Sequence, residues 1–202
     1  MNEMRKRTMK RFDSQGAEMI PIRLLISCSI ISVIVLLVGY GISTVSISTS
    51  EHQIEEECQM LQALLSTMIE SGVPRDIELS TAIDGTKRIY TFSLPNSLMY
   101  VSFGGDPDEN NDGVLIPQLM EQGNAIVFKV QGGSKHILWL PHEKYRFREG
   151  TYIDSRWTIK IPEQSFIIRT GGRTTLVFEE VHYHQNTNIL IHACDDIEME
   201  KR

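Results

Sequence analysis

The chain has 202 residues, 23% of them charged, and a formal net charge of −6. That length has room for one anchor and one compact domain. The acidic balance excludes base-independent nucleic-acid binding, which needs a positive surface.

The charge is unevenly spread. Arg5, Lys6, Arg7, Lys10, Arg11 and Arg23 face only Glu3, Asp13 and Glu18, so residues 1–23 carry +3 and the remainder −9. From Leu24 to Ile42 the sequence LLISCSIISVIVLLVGYGI holds nineteen residues without a charge. A helix rises about 1.5 Å per residue, so this run spans roughly 28 Å, close to the apolar thickness of a bilayer. The apolar core of a secretory signal is shorter, about 7–15 residues. No Lys or Arg occurs between Leu24 and Pro74, and basic flanks stay cytoplasmic. The pattern predicts a single-pass cell-membrane protein whose partner is the lipid bilayer. Its N-terminus lies in the cytoplasm and its C-terminal domain outside the cell.

The joint Ser43–Ser50 contains neither Pro nor Gly. Thr and Ser are mediocre helix formers rather than breakers, so the helix is expected to continue from near Pro21 to Ser71. Ile54, Cys58, Leu61, Leu65 and Met68 follow at helical spacing and form one heptad-like seam. Glu51, Glu55, Glu56 and Glu57 fall largely off it and are expected to be solvated. The seam packs either on its own globular domain or against another helix in a coiled coil. Gly72 and Pro74 stop the helix.

From Lys87 the pattern becomes one of short β-type runs: RIYTFSL, LMYVSF, AIVFKV, KHILWL, TYIDSRWTIKI, SFIIRT, RTTLVFEEVHYH and NILIHAC. Gly132-Gly133 and Gly171-Gly172 read as hairpin turns, and Trp139 and Trp157 as core aromatics. Seven or eight strands at this spacing predict an antiparallel sandwich or meander. The fold class is α+β, with a long N-terminal helix, transmembrane then amphipathic, packed on a β-rich head. The segments are a basic leader over 1–16, a membrane helix over 17–43, a helical stem over 44–72 and the head over 73–202. Cys58 and Cys194 both fall outside the membrane, where disulfides persist. They pair, or they stay as buried free thiols.

Two clusters suggest ligands. In DPDENNDG, Asp106, Asp108, Asn110 and Asp112 place a hard oxygen at every second residue before Gly113. This resembles the start of an EF-hand-type loop and nominates Ca²⁺; the bland alternative is an acidic turn. In VHYHQNTNILIHAC, a register that sets His182 opposite His192 around an Asn-Thr-Asn loop would join them with His184 in a patch suited to Zn²⁺ or Cu²⁺. No Gly-x-Ser-x-Gly, His-Glu-x-x-His, phosphate loop or Cys-x-x-Cys occurs, so no enzymatic activity is expected.

The layout of basic tail, small residues, apolar helix, amphipathic helix and β head resembles the type IV pilin-like proteins, particularly their archaeal branch. Gln15-Gly16-Ala17-Glu18 looks like a class III signal-peptide junction. The resemblance covers about 70 N-terminal residues. It implies cleavage between Gly16 and Ala17, with Glu18 second in the mature chain. It also implies a pilin-like head and packing with other pilin-like subunits. Pro21 and Arg23 interrupt the apolar start, which fits a minor or membrane-retained member. The alternative is an uncut single-pass protein. Arg23 would then sit at the cytoplasmic membrane edge, and the external β domain would bind a ligand or protein with Ca²⁺.

Overall fold

A computed structural model describes residues 14–79, 81–120, 123–141, 145–184 and 186–193, with side chains from residue 22 onward. One helix, α1 (Ser14–Ser71), contains 58 residues. It begins seven residues before the expected start at Pro21. Proline lacks the amide that would bond back to residue 17, yet the helix continues through it, and Ser14 is a residue type favoured at a helix start. Two compact units divide the chain, Met1–Val45 and Ser46–Arg202.

In the first unit, every side chain from Ile22 to Val45 is exposed. Three hydroxyls of this stretch are served within the helix. Ser29 Oγ donates to the Leu25 carbonyl (2.9 Å), Ser32 Oγ to Cys28 (2.8 Å) and Thr44 Oγ1 to Tyr40 (3.0 Å). This is what an apolar solvent requires of a polar group. Among the described residues, α1 is the one helix long and apolar enough to cross a membrane.

In the second unit, the α1 seam is the centre of the core. Ile54, Cys58, Leu61, Leu65 and Met68 are fully buried. Among the described residues there are ten strands: β1 (Arg75–Asp76), β2 (Lys87–Leu94), β3 (Leu98–Phe103), β4 (Ala125–Val130), β5 (Lys135–Trp139), β6 (Arg146–Ile153), β7 (Arg156–Ile159), β8 (Phe166–Ile168), β9 (Gly172–Tyr183) and β10 (Asn186–Ala193), and all but β1 and β7 send side chains into this core. The first sheet runs β1-β9-β10-β6-β7, with β2 also on β9; the second runs β5-β4-β3-β8. Phe92, Phe103, Phe128, Phe147 and Phe178 fill the space between helix and sheets. Of the two expected roles for the seam, packing on the chain's own domain is the one found.

Polar clamps flank the seam. Gln53 Nε2 donates to the Ser93 carbonyl (2.7 Å), and Tyr90 Oη donates to Glu57 Oε2 (2.7 Å). On the other side, Gln62 Nε2 donates to the Trp139 carbonyl (2.6 Å), and Glu51 Oε1 accepts from the Ser134 amide (2.6 Å). Glu51 and Glu57, expected to be solvated, therefore fix the helix to both sheets.

The strands depart from a purely antiparallel head. β1 pairs β9 and β6 pairs β10 in parallel. The parallel β6–β10 pairing has a long enough return path because the chain between them passes through β8 in the other sheet. The expected single strand TYIDSRWTIKI is a hairpin, β6–β7. Its turn residues Asp154 and Ser155 both have positive φ (51° and 64°), the requirement of a type I′ turn. Gly132-Gly133 does turn β4 into β5. Gly171-Gly172 instead carries the chain from β8 in one sheet to β9 in the other. A Cβ at Gly171 would run into the Pro95 carbonyl.

The first sheet is buried on both faces. Leu176, Phe178 and Glu180 face the helix side, whereas Val177, Glu179 and Val181 face a second, smaller cluster with Leu190 and Trp157. There the fully buried Glu179 takes a bidentate contact from Arg75, Nε to Oε1 at 2.8 Å and Nη2 to Oε2 at 3.1 Å. Arg75 Nη2 also donates to the Trp157 carbonyl (2.8 Å), and the Gly85 amide donates to Glu179 Oε1 (3.2 Å). This pair ties β1 to β9. Substituting Arg75→Met should cost about 3–5 kcal/mol by stranding Glu179, and the double change R75M/E179L should recover most of that loss. Chemical unfolding of the full-length protein in detergent measures both.

Candidate functional site

The acidic stretch forms a loop clamped to the outer face of the second sheet. Tyr100, Val127 and Ala125 on that face pack with Leu115 and Met120 from the loop. Asp106 Oδ2 accepts from Lys135 Nζ (2.6 Å), and Asp108 Oδ2 from Lys129 Nζ (3.2 Å). Lys129 Nζ also reaches Asn111 Oδ1 (3.3 Å), and Lys135 Nζ donates to the Asp108 carbonyl.

The remaining oxygens turn the loop. Asp108 Oδ1 accepts from the Gly113 amide (3.0 Å), Asp106 Oδ1 from the Asp108 amide (3.0 Å) and Asp112 Oδ1 from the Val114 amide (2.8 Å). Asn110 is exposed. Burial alone would raise the Asp108 pKa. The Gly113 amide and the Lys129 and Lys135 ammonium groups outweigh it and hold the carboxyl below its ordinary range.

The four residues nominated for Ca²⁺ are thus not gathered around one point. Among the described residues, no three His, Cys, Asp or Glu side chains converge in a metal-ligating group. Two ammonium groups supply the positive charge that these carboxylates need. Sequence reading missed them because Lys129 and Lys135 lie on β4 and β5, about twenty and more residues away, and join the loop only through strand pairing.

The histidines separate. The β9–β10 register sets His182 opposite Thr187 and His192 opposite Val177, and Tyr183 pairs with Asn186, so Asn186, Thr187 and Asn188 belong to β10 rather than to a loop. His182 then lies on the helix-side face and His192 on the other. His184 sits in the turn with φ 47° and contacts Glu78 (Nδ1 to Oε1, 3.1 Å). His192 is buried and stacks on Trp157, with ring centroids 3.7 Å apart and planes at 9°. Trp157 is a core aromatic as expected, but Trp139, on edge strand β5, is 42% exposed.

The Cys58 thiol is buried in the main core, and burial, then Glu57 and Glu55, push its pKa up to about 12. Cys194 lies outside the described residues; Ala193 before it packs against the same core. Gly16, Ala17 and Glu18 fall in the first turns of α1, in the part whose side chains are outside the described set.

Sequence reading also missed the charges within β9. Their signal was Glu179-Glu180 inside the apolar run LVFEEV, which is costly in a strand covered on both faces unless each carboxylate has a partner. Glu180 packs beneath Gly72, with Tyr145 Oη 3.4 Å from its Oε1. Burial raises its pKa, favouring the neutral acid. Compared with family models, with curated proteins and with solved structures, the chain matches none.

Two outcomes follow from this geometry. Because lysines already neutralise the loop, millimolar Ca²⁺ and its removal by chelator should leave the melting temperature unchanged. Asp108→Ala should lower it, and Ca²⁺ should not restore it. Differential scanning fluorimetry separates the two.

Burial holds the His192 pKa down to about 4, outweighing the Glu179 carboxylate, while Lys87 and Arg75 lower it further. The unfolded chain therefore binds a proton at His192 before the folded chain does. Stability from this group is complete above about pH 6.5 and falls by about 3 kcal/mol on acidification to pH 4. His192→Phe should flatten that part of the stability profile, read by denaturant titration at several pH values.

Proposed function

We propose that this is a non-enzymatic surface protein of pilin-like layout, a minor or membrane-retained member. Its N-terminal helix crosses the bilayer and its β head is displayed outside the cell. One observation carries the reading: the apolar surface of residues 22–45 is exposed throughout, and the hydroxyls of Ser29, Ser32 and Thr44 within it are satisfied by the helix's own carbonyls. Such a surface calls for an apolar surrounding, either lipid or the apolar helices of other subunits. The excess of Lys and Arg before residue 24 orients the N-terminus inward.

The second half of α1 supports a display role. Its seam is consumed by the head, so the membrane helix and the head share one continuous secondary-structure element. The non-enzymatic part rests on the sequence, which carries no recognised catalytic motif. The pilin-like part rests on the layout and on the Gly16-Ala17-Glu18 junction.

The deciding measurement is the N-terminus and intact mass of the mature protein from its native membrane. A start at Ala17 is expected. A start at Met1 or Asn2 overturns prepilin-type processing and leaves a permanently anchored single-pass protein.

A further inference from the structure

The outward face of the first sheet holds a feature that the display reading does not use. Arg146 and Arg148 are two apart on β6 and share one face of that strand. The parallel register sets them beside Asn188 and Leu190 of β10, and the β9–β10 hairpin brings Tyr183, His184 and Asn186 to the same place. Arg146, Arg148, Asn188, Tyr183, His184 and Asn186, with Pro162, line a cavity of about 120 Å³. A water's share of liquid volume is about 30 Å³, so there is room for about four waters, or for one compact polyatomic group.

The charges are what make the cavity unusual. Arg148 is only 7% exposed. Its Nη1 donates to the Phe147 carbonyl (2.8 Å), and among the described residues no carboxylate lies within ion-pair distance of it. Glu163 acts on it only at longer range, and burial followed by Arg146 brings its pKa down to about 10. Arg146, half-buried, makes no side-chain hydrogen bond or ion pair among the described residues. Nearby carboxylates are otherwise engaged: Glu149 holds Lys160 (2.9 Å) and Glu78 faces His184.

Elsewhere this fold matches its buried cations. Arg75 has Glu179, Lys129 has Asp108 and Lys135 has Asp106. An unmatched buried guanidinium costs several kcal/mol. The buried Arg148 and the half-buried Arg146 beside it, both lining one cavity, are an arrangement that a bound anion would stabilise. The guanidinium fork matches the planar geometry of carboxylate and phosphate oxygens.

We propose that this pocket binds an oxyanion, the carboxylate or phosphate group of a ligand, between Arg146 and Arg148, with Asn186, Asn188, Tyr183 and His184 as its polar rim. The site lies wholly in the head, so it stands or falls independently of how the N-terminus is processed.

The test uses the full-length protein in neutral detergent at pH 7. Melting temperature is followed against sodium phosphate, sodium acetate and sodium chloride at equal ionic strength. Phosphate or acetate should raise it progressively over chloride, and the anion that does so identifies the group; a rise with both means a general oxyanion site. Arg146→Met should raise the half-effective concentration by about tenfold or more, the loss expected for a charge-assisted hydrogen bond. Arg148→Met should abolish the response while leaving the anion-free melting temperature equal to or above that of the parent, because an unmatched buried charge is removed. No anion-specific rise overturns the proposal, as does an undiminished rise in Arg146→Met. A fall in the anion-free melting temperature of Arg148→Met with the anion response retained in both variants marks the arginines as structural and also overturns it.

Discussion

The head depends on the burial of one helical stripe. Ile54, Leu61, Leu65 and Met68 are fully enclosed, with Cys58 among them. Each such side chain contributes about 1.5–3 kcal/mol, so the stripe supplies on the order of 10 kcal/mol. That is the size of a whole domain's net stability. The two sheets do not close on each other alone; they close around this helix, and Phe92, Phe103, Phe128 and Phe178 interlock beside it. The segment from residue 46 therefore belongs to the head rather than serving as a stalk beneath it. The clamps from Gln53, Glu57, Gln62 and Glu51 fix the rotation of the stripe, since a turn about the helix axis would break hydrogen bonds to both sheets.

Once the helix covers one face of the first sheet, its other face needs its own solution. β9 is enclosed on both sides, yet it carries Glu179 and Glu180. Glu179 is matched by Arg75 and the Gly85 amide, an arrangement that also attaches the short strand β1. Glu180 sits at the end of the helix, where burial favours its neutral form. Across β10, His192 is held neutral against Trp157. Further along the same face, Arg146 and Arg148 have no matching carboxylate among the described residues. The chemistry of the head is thus concentrated on the sheet face away from the helix. The acidic loop, the most conspicuous polar feature in the letters, is spent on covering the second sheet.

Much of the architecture was legible. The apolar run from Leu24 and the spacing from Ile54 to Met68 were visible as periodicity, because helix burial repeats every three to four residues and leaves a local record. The β-rich head and the Gly132-Gly133 turn were readable for the same local reason. The β6–β7 turn was not, since Asp154-Ser155 lacks the glycine that usually marks a type I′ turn. The Gly171-Gly172 step looked like a hairpin because a sheet-to-sheet crossing and a turn use the same residues. The histidine patch failed by register: pairing Tyr183 with Asn186 sends His182 and His192 to opposite faces. The acidic loop was placed correctly in a turn, but the cations that meet Asp106 and Asp108 came from distant strands.

By itself, then, the sequence determined what depends on neighbours along the chain: an apolar helix, an amphipathic continuation, a β-rich remainder and the sign of charge on each flank. Only the tertiary structure decided which charges meet. Lys129 and Lys135 meet the acidic loop, Arg75 meets Glu179, and Arg146 and Arg148 meet no carboxylate among the described residues. Those pairings depend on strand order and register, which join residues as far apart as 75 and 179. No local pattern encodes such contacts, because the free energy that selects them is that of the whole packed core.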